Sequence, residues 1–242
     1  MKQLIIAIDG PSGAGKGTVA RALSTALGYR HVDTGAMYRA VGWKTAHDGV
    51  ALDDEAAVAA LATRAEITVE GGVVAIDGID ITGAIRTPEV DRLATAVARL
   101  PRVRETLVAR QRAIGGRGGV VMEGRDIGSV VFPGADVKIY LDASAEERAR
   151  RRATDPAHTG SLGGQAAVAA AIDARDSSDR TRTVSPLAVA PGAVLIDTTD
   201  MPIATVVERV LTLVNETLAV LSDPSSHRRR PGRAPIDGDR AR

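Results

Sequence analysis

A glycine-rich loop between an apolar strand and a helix is the feature that most constrains the fold of this 242-residue chain. Residues 4–8, LIIAI, form an unbroken apolar run, which is typical of a strand buried on both faces of a parallel sheet. After the loop, Val19, Leu23 and Leu27 recur at helical spacing. The loop itself consists of Gly10, Pro11, Ser12, Gly13, Ala14, Gly15, Lys16, Gly17 and Thr18. This order predicts an α/β fold with a phosphate-binding loop at the end of the first strand.

The residue types of this phosphate loop (residues 10–18) suit it to a nucleotide. Glycines let backbone N–H groups converge on phosphate oxygens, and the helix N-terminus adds partial positive charge. We expect Lys16 to reach the β- and γ-phosphates of ATP and Thr18 to place its hydroxyl near Mg²⁺. Gly17 separates these two residues, as in the loop of nucleoside-monophosphate kinases, which it resembles. The alternative is a glycine-rich turn that binds no ligand.

The rest of the chain alternates apolar strands with helical patterns. Further strands are predicted at residues 31–33, 119–123, 137–141 and 193–196, with helices between them. Such alternation favours a three-layer α/β phosphate-loop NTPase fold, with a parallel sheet covered on both faces. Short strands and tight turns between residues 65 and 81 predict a small antiparallel insert.

These patterns also predict the domain organisation. We expect one domain over residues 1–221, with an insert at 62–92. Residues 222–242 are rich in Pro, Gly, Arg and Asp and predict a disordered basic tail. The tail holds six arginines and three aspartates, which leaves 25 basic and 27 acidic residues in the remainder. That balance argues against nucleic-acid binding by the core.

Composition excludes several classes of protein. The chain has no cysteine, so disulfides, cysteine-bound zinc, iron–sulfur clusters and thiol nucleophiles are excluded. No apolar run is long enough to span a membrane, and the N-terminal run reads as a strand, not a signal peptide. We therefore expect a cytoplasmic protein. Asn215 is the only asparagine and is followed by Glu, so the Asn-Lys-x-Asp guanine-binding motif of GTPases is absent.

Four further blocks carry a specific resemblance. They are DTGAMYR at residues 33–39, PRVR at 101–104, GRDIGSVVFP at 124–133, and RDSSDRTR at 175–182 followed by Pro186 and Leu187. With the phosphate loop, they span residues 4–187 in the order found in bacterial cytidylate kinases, which the chain closely resembles. The resemblance implies ATP- and Mg²⁺-dependent phosphorylation of CMP, and of dCMP, to the diphosphate by direct in-line transfer.

The resemblance also implies roles for individual residues. Arg39 and Arg125 would hold the acceptor phosphate, with Thr34 beside the substrate. The cytosine would be read by Thr95, Arg104 and Asp126, and the ribose held by Asp179 and Arg182. Lid arginines would come from Arg175 and from the basic run after Ser144, which includes Arg148, Arg151 and Arg152. Lys16, Arg125 and Arg175 would act on the transferring phosphate, and residues 148–176 would form a lid over it. Nothing in the sequence demands a dimer, so we expect a monomer.

The chemistry of the acceptor agrees with these roles. The acceptor phosphate is already ionised, so transfer needs arginines and no general base. Cytosine presents an N4 amino donor beside N3 and O2 acceptors, which suits a carboxylate together with an arginine. Uracil reverses the first two groups, so Asp126 would face an oxygen.

Less specific interpretations of the same residues remain open at this point. Arg39, Arg104 and the lid arginines could be solvated or cover a helix face, and Thr95 could be an ordinary helix residue. Arg125 could pair with Asp126, and Asp179 with Arg182 as a surface pair. The rival functions are a kinase of another acceptor, such as UMP, AMP or shikimate, and a nucleotide-binding regulatory module without catalysis.

Overall fold

A five-stranded parallel sheet lies at the centre of the protein in the computed structural model, which describes residues 3–155 and 164–222. Eight strands are found in these residues: β1 (Ile5–Asp9), β2 (Arg30–Asp33), β3 (Ile67–Glu70), β4 (Val73–Ile76), β5 (Ile79–Asp80), β6 (Val120–Gly124), β7 (Val137–Asp142) and β8 (Val194–Asp197). The central sheet has the order β2-β6-β1-β7-β8, and β3, β4 and β5 form a separate antiparallel sheet. The predicted sheet and the predicted short strands are both confirmed.

Helices cover both faces of the central sheet. Those in the described ranges are α1 (Lys16–Leu27), α2 (Thr34–His47), α3 (Glu55–Arg64), α4 (Pro88–Val97), α5 (Pro101–Gly115), α6 (Ala145–Ala153), α7 (Gln165–Thr181) and α8 (Ile203–Ser222). On one face, Ile6 and Ile8 pack with α1 and α8. On the other, Ala7 and Met122 pack with Val108 of α5. Side chains of a strand point alternately to its two faces, so the sheet has an aliphatic core on each face. The sheet and the helices on either side of it form three layers.

Strand register brings two of the sequence blocks together. In β1 and β6, Ile5 pairs with Val120 and Asp9 pairs with Gly124. The phosphate loop and the block at 124–133 therefore leave the same carboxyl edge of adjacent strands, where parallel α/β sheets bind ligands. A π-helical turn, Ile127–Val131, follows β6 and was not predicted.

The antiparallel sheet and α4 pack on α2. Ala36 and Ala40 of α2 contact Val74 and Ile76 of β4. At Gly42, an added Cβ would lie 3.0 Å from the backbone nitrogen of Ala94, so glycine allows α4 to approach closely. This packing places α4 beside the acceptor block that begins α2. Residues 156–163 of the predicted lid, and the predicted tail beyond Ser222, lie outside the described residues.

Candidate active site

The phosphate loop borders a cleft of about 700 Å³ at the carboxyl edge of the sheet. Gly10, which begins the loop, has φ +147°, and an added Cβ would lie 2.0 Å from the carbonyl oxygen of Leu141 on β7. Only glycine fits that position, because β7 passes too close for a side chain. Ser12, Gly13, Ala14, Gly15, Lys16, Gly17 and Thr18 line the cleft.

Lys16 is buried at the start of α1, and its Nζ donates to the carbonyl oxygen of Pro11 at 2.6 Å. Burial is the main cause that lowers the pKa of Lys16 to about 7, and the charge of Arg125 adds to this effect. A bound phosphate would favour the charged form of the amine. The loop is therefore suited to an anion.

Glu123, at the end of β6, was missed in the sequence and lies against the glycine that follows Lys16. A Cβ on Gly17 would lie 3.2 Å from Oε1 of Glu123, so the carboxylate lies directly against the loop. His31 Nε2 lies 2.9 Å from the same oxygen. The exposed Thr18 lines the cleft with Glu123. A hydroxyl and a carboxylate are the hard oxygen ligands that Mg²⁺ prefers, so this corner fits the ion.

Several arginines line the same cleft, among them Arg39 on α2, Arg125 after β6, Arg152 on α6 and Arg175 on α7. Arg39 is 7% exposed, so the interpretation of a solvated residue was wrong. Burial is the main cause that lowers the pKa of Arg175 to about 10, despite the nearby charge of Asp91. Concentrated positive charge of this kind attracts phosphate groups.

A smaller cavity of about 40 Å³ adjoins the cleft and contains the predicted acceptor residues. Gly35, Gly124, Arg125 and Arg175 line both spaces. The smaller cavity is also lined by Thr34, Tyr38, Thr95, Arg104, Asp126, Asp179 and Arg182. The structure therefore brings together residues from five separate stretches of sequence, and only Arg39 of the predicted acceptor set lies in the larger cleft alone.

Arg104 and Asp126 form a buried ion pair at the bottom of this cavity, through Nη2 and Oδ2. Arg104 is 2% exposed and lies over the ring of Tyr38, 5.4 Å from its centre. Arg182 Nη2 lies 3.8 Å from Oδ1 of Asp126. Among the described residues, Arg104 Nε and Arg182 Nη2 are buried without a hydrogen-bond partner. Such unpaired donors are costly unless a ligand accepts from them.

Asp179 lines the smaller cavity and accepts from two of its arginines. Its carboxylate accepts from Arg125 Nε at 2.9 Å and from Arg182 Nη1 at 3.3 Å. Burial alone would raise the pKa of Asp179, but the charges of Arg125, Arg175 and Arg182 outweigh burial and lower it. Arg125 thus pairs with Asp179 and not with Asp126. The pair of Asp179 with Arg182 is buried, so the alternative interpretation of a surface pair was wrong.

Comparison with known proteins decides the family. The family model described as "Cytidylate kinase" matches residues 6–216. The chain belongs to the cytidylate kinase family. A cytidylate kinase of Desulfitobacterium hafniense is 50% identical over 218 residues, 89% of this chain and 94% of the relative. One of Solibacter usitatus is 48% identical over 219 residues, 88% of this chain and 93% of the relative. A solved gluconokinase from Sinorhizobium meliloti has a TM-score of 0.49 at 16% identity, covering 92% and 99% of the two chains.

Two further carboxylates of this cytidylate kinase family member, Asp9 and Asp176, accept hydrogen bonds from the backbone of the site and were not predicted. Asp9 is 2% exposed and accepts from the backbone nitrogens of Ile127 at 2.8 Å and Gly128 at 2.7 Å. These bonds fix the π-helical turn that follows Arg125 and Asp126. Burial raises the pKa of Asp9 to about 6. Its position at the end of a buried strand, directly before the loop, was the available signal.

Asp176 connects α7 to the phosphate loop. Its Oδ1 accepts from the backbone nitrogen of Ser12 at 3.0 Å, and Oδ2 accepts from Arg148 Nη1. The same guanidinium nitrogen donates to the carbonyl oxygen of Ser12 at 3.0 Å. Arg148 therefore holds the loop in place and does not point into the cleft, contrary to the expectation of a lid arginine. Arg151 donates to Glu147 and Thr198, whereas Arg152 reaches Asp91.

None of the helices in residues 3–155 and 164–222 combines the length and hydropathy needed to cross a bilayer.

Proposed function

We propose that this protein phosphorylates CMP, and dCMP, with ATP as the donor, giving the diphosphate and ADP. The observation that carries the proposal is the small cavity, where a buried carboxylate, two arginines with free donors and a threonine adjoin an arginine-lined cleft. Membership of the cytidylate kinase family supports the same acceptor.

The phosphate loop and Lys16 bind the β- and γ-phosphates of ATP in this scheme. Arg39 and Arg125 hold the acceptor phosphate, and Arg175, which lines both spaces, lies where the two phosphates meet. The acceptor is already ionised, so positioning and charge neutralisation supply the catalysis and no base is required. Mg²⁺ would be held by Thr18 and Glu123 with the nucleotide phosphates, and when bound it neutralises phosphate charge.

The base pocket has a hydrogen-bonding polarity that suits cytosine. The Thr95 hydroxyl donates to the backbone oxygen of Asp91 at 2.8 Å, which uses its proton and leaves its lone pairs for an amino group. Asp126 is an acceptor as well, whereas Arg104 and Arg182 supply donors for N3 and O2. Both acceptors would face the N4 amino group of cytosine and oppose the O4 oxygen of uracil.

The ribose lies near Asp179 and Arg182 in this scheme. Asp179 is ionised, as its lowered pKa indicates, and can accept from a ribose hydroxyl. All the residues of the scheme come from one copy of the chain, so we propose that a monomer is sufficient for activity.

The test is ADP release, measured by a coupled assay with ATP, Mg²⁺ and each of CMP, dCMP, UMP, AMP and GMP at equal concentration. Turnover with CMP and dCMP well above UMP supports the proposal. Activity with AMP alone, or equal rates with UMP, refutes the base pocket. Binding of ATP without turnover on any acceptor indicates the regulatory alternative. Lys16→Ala should abolish turnover and leave the circular dichroism spectrum unchanged.

A further inference from the structure

Three arginines converge on one carboxylate, that of Asp91 on α4. Arg39 Nε and Arg175 Nη1 both donate to Oδ1 at 3.0 Å, and Arg152 Nη2 donates to Oδ2. The three arginines come from α2, α7 and α6, so Asp91 joins elements that are far apart in sequence. The Asp91 side chain is 18% exposed and lies where these three arginines meet the cleft.

The contacts of Asp91 have the chemistry of phosphate contacts. Guanidinium groups donate to carboxylate oxygens and to phosphoryl oxygens through the same charge-assisted hydrogen bonds. Burial alone would raise the pKa of Asp91, but the charges of Arg39, Arg175 and Arg152 outweigh it and hold the pKa well below its usual range. Asp91 is therefore ionised at neutral pH.

The arginines need such an anion when no substrate is bound. Like charges this close repel one another, and burial removes the water that would screen them. Asp91 is not the only anion near this group: Asp33 Oδ2 lies 4.0 Å from Arg39 Nη1, and the charges of Asp155 and Asp179 act on Arg152 and Arg175. Asp91 is the carboxylate to which all three arginines donate, and each guanidinium has further N–H donors that can bind another anion. A phosphate that enters must share these arginines with Asp91 or displace it from them.

We propose that Asp91 is a built-in counter-anion that holds Arg39, Arg152 and Arg175 together and competes for them with the bound phosphate. The proposal rests on the function above, in which Arg39 contacts the acceptor phosphate and Arg175 the transferring phosphate. This competition lowers the affinity of the arginines for phosphate groups. When the product leaves, the arginines bind Asp91 again. Asp91 is thus a positioning residue that limits ground-state binding.

The substitution Asp91→Asn tests the proposal, because it removes the charge and keeps the side-chain shape. The backbone oxygen that accepts from Thr95 stays in place, so the base pocket is retained. Glu89→Gln is the matched control: it removes the same charge from the exposed face of the same helical turn. Asp91→Ser serves as a second variant should Asp91→Asn not fold, and thermal melting verifies folding of each.

The measurement is calorimetric titration with inorganic phosphate in the presence of saturating ADP, which fills the phosphate loop. For Asp91→Asn we expect phosphate to bind about tenfold more tightly than in the unmodified protein, with no change for Glu89→Gln. The KM for CMP should fall as well, while kcat does not rise. Unchanged or weaker phosphate binding would overturn the proposal, because a purely structural support would loosen the arginines and raise KM.

The two proposals can fail separately. Tighter phosphate binding by Asp91→Asn in a protein that does not phosphorylate CMP supports the counter-anion and refutes the acceptor. CMP turnover together with unchanged phosphate binding refutes the counter-anion and leaves the acceptor standing.

Discussion

Asp126 gives the sharpest test of the proposed base pocket. Its Oδ2 is bonded to Arg104, its Oδ1 lies 3.8 Å from Arg182, and its side chain is 7% exposed. The substitution Asp126→Asn keeps the size of the side chain and replaces one acceptor with an amide donor. In a cavity of about 40 Å³ this change alters the hydrogen bonds offered to a base with little effect on the space.

The expected loss of discrimination follows from the groups that oppose each other. Asp126 faces an amino donor on cytosine and an oxygen on uracil, and a buried hydrogen-bond mismatch costs about 2–3 kcal/mol. The ratio of kcat/KM for CMP to that for UMP should therefore fall about 30- to 150-fold in Asp126→Asn. Removing one charge of the buried pair with Arg104 also destabilises the fold, by about 3 kcal/mol.

The assay separates these two effects, because both substrates are presented to the same folded fraction of enzyme. The kcat/KM values are measured for CMP and UMP on each variant, and only their ratio is compared. Asp179→Asn is the matched control: it lies on the ribose side, so it should lower both values and leave the ratio unchanged. Two results would refute the assignment of Asp126 to the base. One is an unaltered CMP-to-UMP ratio of kcat/KM in Asp126→Asn, and the other is an equal fall of that ratio in Asp126→Asn and Asp179→Asn.

Two perturbations test the donor side of the site. At pH 8, ATP binding should take up close to one proton, because Lys16 has a pKa of about 7 without nucleotide and phosphate favours its charged form. Calorimetry in buffers of different ionisation enthalpy measures this proton uptake. An uptake near zero would contradict the prediction. ATP affinity should correspondingly decrease as the pH rises above 7. Asp176→Asn should lower the free energy of unfolding by about 3 kcal/mol and raise the KM for ATP, because Arg148 and Ser12 lose their shared carboxylate. Denaturant titration and steady-state kinetics measure both, and an unchanged KM would show that the loop does not depend on Asp176.

The phosphate loop could be predicted from the sequence because its determinants are local. Its residues are consecutive, and the flanking strand and helix have their own apolar periodicity. The parallel sheet followed from the same alternation. The π-helical turn after β6 could not be predicted, because Asp9 fixes it through two hydrogen bonds from a strand that lies 118 residues earlier.

The acceptor residues were found only through family resemblance, since none of them is distinctive alone. Whether Arg39 and Arg104 are solvated or functional depends on burial, and burial is set by the packing of α2, α4 and α5. Thr95 is a helix residue in either interpretation. Only the structure shows that Thr95 lines the same small cavity as Arg104 and Asp126.

The carboxylates that sequence reasoning missed share a physical property that spacing cannot show. Asp91, Asp176 and Glu123 each lie next to groups that are distant in sequence: Asp91 binds Arg39 across 52 positions, and Asp176 binds Ser12 across 164. Sequence analysis identified the arginines as phosphate ligands and so looked for anions outside the chain. The balancing anions are within it.

The arginines proposed to bind phosphate are already paired with carboxylates of the chain, and this affects how tightly a phosphate would bind. Arg39, Arg125 and Arg175 each already donate to a carboxylate, on Asp91 or Asp179. In the proposed function a phosphate would therefore exchange partners with a carboxylate, and its affinity would be the difference between two charge-assisted interactions. Such a difference would be small compared with either interaction, so the same arginines would bind highly charged nucleotides and still release them. An enzyme that must discharge two anionic products benefits from weak net binding of the ground state, because interactions that strengthen only during transfer then raise kcat.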